Sequence, residues 1–170
     1  MSGADNEVKV GGLLAGAAKA IARVRYCWMV TDAEASGVNA RPMGRVLPAP
    51  NDDWRIRFVT DGRSRKVADI RRADNVGLFF QRAQDDAFVA LHGKAELIEG
   101  APEVDRLWNP AYDVYFQSEI DRANATFVEV NVERMELWIR GVTPEPFGLQ
   151  AAILKRDTGG SWHLHDGDAA

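Results

Sequence analysis

The stretch from Phe127 to Trp138 constrains the fold of this chain more than any other. Val128, Val130 and Val132 alternate with polar residues, and Met135, Leu137 and Ile139 then continue the alternation out of phase. A period of two with one change of face belongs to a long strand that is buried on one side. Shorter strands are expected at Tyr26–Thr31, Asn39–Leu47, Trp54–Thr60 and Val76–Phe80, and a second long one at Ala87–Ile98, bent at Gly93. Asp32–Gly37 supplies turn residues between the first two. Gly148–Lys155 and Ser161–His165 read as a closing hairpin around Asp157–Gly160. Helical spacing marks residues 11–24 through Leu13, Leu14, Ala17, Ala18, Ile21 and Val24. It returns at Ser64–Arg72, where Ser64 is a good N-cap and Val67 and Ile70 form the inward face. Ala101–Trp108 reads as a short helix with Pro102 in its first turn, and Tyr112–Ile120 as irregular and partly helical. Strands dominate and strict strand–helix–strand alternation is missing. The pattern predicts a mainly β fold, an antiparallel barrel with flanking helices, rather than a doubly wound sheet.

The length of 170 residues suits one domain, expected over 11–165 between loose ends at 1–10 and 166–170. A formal net charge of −4 argues against a general nucleic-acid binder. The single cysteine, Cys27, excludes an internal disulfide framework and fits a cytoplasmic protein. With one cysteine and three histidines, no metal site is expected. No run approaches the roughly 20 apolar residues of a membrane span. Gly11–Ile21 is apolar, but Asp5 and Glu7 precede it with only Lys9 opposing them, so it reads as a packed helix and not as a signal peptide.

The densest cationic cluster is Asp61-Gly-Arg-Ser-Arg-Lys66, at a strand end and a helix start. Free N–H groups and a partial positive charge at a helix N-terminus suit a phosphate. Ser64 adds a hydroxyl, Arg65 a forked cation and Lys66 a point charge, while Thr60 just before the turn offers another donor. In Arg41-Pro-Met-Gly-Arg45, Pro42 removes a ladder donor, so an edge or a groove is expected, and Gly44 permits close approach to a flat ligand. No dinucleotide fingerprint or Walker-type loop is present. The residues alone reach a phosphate-bearing ligand or a solvated basic surface, and both stay open.

Phe58-Val-Thr-Asp-Gly-Arg-Ser-Arg-Lys-Val-Ala-Asp-Ile70 resembles the pyridoxamine 5'-phosphate oxidase-like, FMN-binding split-barrel superfamily. Arg41-Pro-Met43, Gly93-Lys-Ala-Glu96, Leu107-Trp-Asn-Pro110 and Val130–Trp138 are similar to its general stress protein branch. The resemblance runs from about Ala20 to Lys155. It implies an antiparallel split β-barrel and a homodimer with FMN at the subunit interface. Arg41 and Lys66 would hold the phosphate, with Ser64 and Arg65 at the same turn. Val59 and Thr60 would lie near the ribityl chain and ring, Met43 and Gly44 along the isoalloxazine, and Trp138 would complete the partner's pocket or simply pack. Three cations around one dianion would leave surplus positive potential.

The chain also departs from the oxidase. Val46 stands where the oxidase has a lysine that grips the substrate phosphate, and Phe88 falls near a family glutamine. Pyridoxamine phosphate oxidation is therefore not implied. The expectation is an FMN-binding general stress protein, a flavin-dependent oxidoreductase of unknown substrate. The alternatives are a flavin carrier or sensor without turnover, or a haem or deazaflavin binder on the same fold. His92 reads as a structural residue or as a haem ligand. Trp108, Tyr112, Tyr115 and Phe116 read as packing or as a lid over the flavin.

Overall fold

The computed structural model describes residues 3–46 and 53–165. Its strands are β1 (Tyr26–Asp32), β2 (Val38–Gly44), β3 (Arg55–Asp61), β4 (Asn75–Arg82), β5 (Ala87–Ile98), β6 (Ala125–Ile139), β7 (Ala152–Arg156) and β8 (Trp162–His165). Its helices are α1 (Gly3–Ala22), α2 (Arg65–Arg72), α3 (Ala101–Leu107) and α4 (Glu119–Ala123). The antiparallel order is β2-β1-β4-β5-β6-β7-β8, with β3 also on β6. The antiparallel β architecture with flanking helices is thus the observed one.

The long strand organises the sheet. Ala125–Asn131 of β6 pairs with β3, and Arg134–Leu137 pairs with β7, while β5 runs along the other side of both halves. The register slips at His92/Gly93, where Glu133 is the extra residue opposite. That bulge is the change of face legible in the sequence, and it puts Val132 and Met135 both in the core. Gly93 is required there, because a Cβ would lie 2.0 Å from the Asn131 carbonyl oxygen.

Met29, Phe58, Leu78, Leu91, Met135, Leu137 and Leu154 fill the barrel and are fully buried. Each contributes roughly 1.5–3 kcal/mol of burial. Val10, Leu13, Ala17 and Ile21 of α1 join the same core. The helix begins at Gly3, not near residue 11 where the sequence pattern sets in. Asp5 in its first turn and the buried Val10 extend it into the stretch expected to be loose. Residues 166–170 and Leu47 lie outside the described residues. Between α3 and α4 the aromatic-rich stretch forms one turn of 3-10 helix at Pro110–Tyr112.

β2 and β3 are two of the sheet's three free edges, β8 being the third. Among the described residues one backbone bond joins the β2 and β3 margins, from Val46 N to the Arg57 carbonyl at 2.7 Å. Met43 and Gly44 on one side of this narrow seam and Val59 and Thr60 on the other line one cavity.

Candidate functional site at the barrel seam

A cavity of about 940 Å³ lies over the seam. It is lined from β2 by Met43 and Gly44, and from β3 by Val59 and Thr60. The C-terminal turn of α1 and the 109–121 segment close its other sides. These four residues are therefore brought together as expected. The volume sits at the upper end of the roughly 300–1,000 Å³ typical of cofactor and ligand pockets.

The cationic turn stands beside this cavity. Gly62 N donates to the Asn124 carbonyl (2.7 Å) and Ser64 N to the Asp61 carbonyl (3.1 Å), which fixes the turn between β3 and α2. Lys66 Nζ donates to Thr60 Oγ1 at 2.8 Å. Burial, and then the nearby charge of Arg41, pull the Lys66 ammonium below its ordinary value. Arg41 on β2 and Lys66 on α2 are thus close enough to repel one another, the arrangement that a shared anion relieves. Ser64 occupies the N-cap position but makes no cap bond, and its Oγ is shielded without a partner. An orphaned hydroxyl at the N-cap of an eight-residue helix, two residues before Lys66, fits a phosphate group.

Asp69, one turn after Lys66 on α2, is the residue that the sequence reading missed. Its Oδ2 accepts from Thr31 Oγ1 (2.9 Å), Asn39 Nδ2 (3.0 Å) and Arg41 Nη2 (3.3 Å), while Arg41 Nη1 donates to Thr31 Oγ1 (2.7 Å). Partial burial works against its ionisation. The donors of Asn39, Thr31 and Arg41 outweigh that and hold the carboxyl below the usual carboxylate range. The network ties Arg41 to the helix that presents Lys66. It also corrects the expected surplus of positive charge: Asp69 compensates Arg41, Asp61 is paired with Arg63 at 2.6 Å, and Arg65 is exposed at the helix start. Only spatial adjacency reveals Asp69, since nothing in its local sequence marks it.

Trp138 is not among the residues that line this cavity. It stands half-buried on the outer face of β6, opposite Phe88 of β5. Arg41, Ser64, Arg65 and Lys66 do not line the cavity either, but Lys66 reaches it through its bond to Thr60. His92 packs edge-on against Phe79 at 5.9 Å between ring centres. Trp108 packs edge-on against Tyr112, Phe116 and Phe127, and Tyr112, Tyr115 and Phe116 also wall the cavity.

Residues 15–160 match the model of the family described as pyridoxamine 5'-phosphate oxidase like. The chain belongs to that family. No curated protein sequence matches it. Among solved structures it is similar to the general stress protein 26 of Bacillus anthracis (19% identity, 74% of this chain and 92% of that one, TM-score 0.59). A pyridoxamine 5'-phosphate oxidase-related, FMN-binding protein of Nostoc punctiforme is similar over 97% of this chain and 98% of its own, with 16% identity and a TM-score of 0.64. An F420 reductase shares the fold at 12% identity, over 69% of this chain and 93% of that one, with a TM-score of 0.54. At these identities the likeness is one of fold: the split barrel expected from the sequence. No helix among the described residues is long and apolar enough to cross a membrane.

Proposed function

We propose that this chain is an FMN-binding protein that acts as a flavin-dependent oxidoreductase, with the flavin seated in the seam cavity. The observation that carries the reading is that Thr60, which lines the cavity, is bonded to Lys66, whose ammonium feels the charge of Arg41, at a helix start where the Ser64 hydroxyl has no partner. Lys66, Arg41 and the start of α2 would hold the phosphate. Thr60 and Val59 would lie along the ribityl chain, and Met43 and Gly44 would face the ring. Bound flavin would supply hydride or single-electron transfer, and the protein would orient it and limit water. The FMN-binding protein of Nostoc punctiforme, with the same fold over nearly all its length, supports the choice of cofactor.

A second copy of the chain would cover the outer face of the sheet. Trp28 is 53% exposed and Phe79 37%, and they face one another across β1 and β4 in a row that continues to the exposed Pro42 on β2. An exposed apolar row of this kind is the mark of an interface. Trp138 lies on the same outer face, where it could complete the partner's pocket. Trp28→Glu with Phe79→Glu is expected to convert a dimer to monomers in sedimentation; a wild-type protein that is monomeric with full flavin occupancy would defeat the shared-interface arrangement.

The reading is tested by the visible spectrum of the purified protein, followed by addition of NADH or NADPH. A yellow protein that bleaches supports the oxidoreductase. A yellow protein that never bleaches supports a flavin carrier or sensor. That second reading has its own support: the two carboxylates lining the cavity, Asp61 and Asp121, are both bonded to Arg63, so neither is free to act as an acid or base. A blue-shifted flavin-like band with no FMN recovered would favour the deazaflavin alternative, and a Soret band the haem alternative.

A further inference from the structure

The far side of the same cavity, at the end of α1, has a different charge balance. Arg45 lines it, and so do Arg23 and Arg25. Arg45 Nη2 donates to the Ile21 and Ala22 carbonyls (3.3 and 3.2 Å), capping α1. Its Nε and Nη1 are shielded and have no hydrogen-bond partner. No carboxylate among the described residues lies within ion-pair distance of it. Cys27, the titratable group whose field it feels, is pushed up to about 12 by burial, so it is a neutral thiol at ordinary pH and no counter-ion. Arg25 is exposed, stacks over the Tyr26 ring at 5.1 Å, and also has no carboxylate partner among the described residues. Arg23 is paired with Asp85 at 3.2 Å. The cavity's acids, Asp61 and Asp121, are both held by Arg63 (2.6 and 3.3 Å). Two cations without a carboxylate partner among the described residues therefore line a cavity whose wall also includes Val24, Val46, Tyr112 and Phe116.

We infer that this side of the cavity binds a small planar apolar molecule carrying one carboxylate. The carboxylate meets Arg25 and sits in the field of Arg45, and the ring lies against Tyr26, Tyr112 and Phe116. Charge in a recess of reduced dielectric is felt more strongly than on an open surface, so Arg45 contributes without touching the ligand. Aromatic walls select a flat apolar body over a hydrated one. The two cations differ in kind. Arg45 is held by backbone carbonyls, whereas the Arg25 side chain has no hydrogen bond among the described residues to lose and can turn to the ligand. The inference rests on the flavin reading only for what sits beside this molecule; the anion site itself needs no flavin.

The test is calorimetric titration of FMN-saturated protein with benzoate and with benzamide, which share a ring and differ in charge. Benzoate is expected to bind about tenfold or more tightly than benzamide, the lower range for a charged hydrogen bond, and to shift the flavin band. Arg25→Gln should remove most of that preference without changing the melting temperature. Arg45→Gln should weaken benzoate and leave benzamide alone. Equal affinity for the two probes, or a preference that survives Arg25→Gln, overturns the inference. A colourless protein that rejects FMN yet prefers benzoate would sink the flavin reading and keep this one; a yellow protein indifferent to both probes would do the reverse.

Discussion

Arg41 and Arg45 lie four residues apart at the same barrel margin, and they live in opposite circumstances. At the α2 side, Arg41 is locked by Asp69 and Thr31 and stands near Lys66, a second cation. At the α1 side, Arg45 is held by two backbone carbonyls and has no counter-ion among the described residues. A strand spaces alternate side chains on one face, so the same period gives both residues an inward aspect. What differs is the helix that each one meets. A helix start with an acid one turn inside makes a fixed, partly neutralised cradle. A helix end offers carbonyls, which orient a guanidinium and offset only part of its charge.

The largest expected effect separates the two sides. Arg41→Ala with Lys66→Ala should weaken FMN binding by about 1.5–3 kcal/mol for each charged hydrogen bond lost, read by fluorescence titration of flavin. Arg45→Ala should leave that affinity nearly untouched. Equal losses from both changes would erase the distinction drawn here.

Next comes stability. Asp69→Ala strips the partner from a partly buried guanidinium and two further donors, and is expected to cost about 2 kcal/mol in urea unfolding. Arg45→Met removes a charge that has no carboxylate partner while keeping the side-chain volume. It should change stability by less than about 1 kcal/mol in either direction. A large loss from Arg45→Met would mean that its bonds to α1 outweigh its unpaired charge.

The smallest effect is one of pH. The Asp69 carboxyl is lowered in the folded chain relative to an unfolded value near ~3.9. Its contribution is fully present above that value and is lost as pH falls through the lower folded value. The melting temperature should therefore drop as pH falls below about 4, and Asp69→Asn should flatten part of that drop. Asp32, Asp61, Asp74, Asp85 and Asp157 are lowered as well, so the variant keeps most of the acid sensitivity.

Much of the barrel could be read from residues alone, because strand burial repeats every second position. The buried Ile56, Phe58 and Thr60 of β3 and the phase change in β6 are direct images of that period. The cationic turn was legible for the same local reason, a donor-rich turn at a helix start. Asp69 was not, since it acts on Thr31, Asn39 and Arg41, which are 38, 30 and 28 residues away. Nor could Arg45 be separated from Arg41 by sequence: both are arginines in one short segment, and only the facing helix distinguishes them. The onset of α1 was read too late because its first turns carry few apolar residues, although Val10 already reaches the core.

Among the described residues, the single rung from the Val46 amide to the Arg57 carbonyl gives the cylinder a latch instead of a welded joint. Every other neighbouring pair around it shares several rungs, so width can change at this one place at small cost. A bulky guest could spread the two margins and be gripped when they spring back. Deuterium uptake at the Val46 amide should then be quick in the empty protein and slow once the chamber above it is filled.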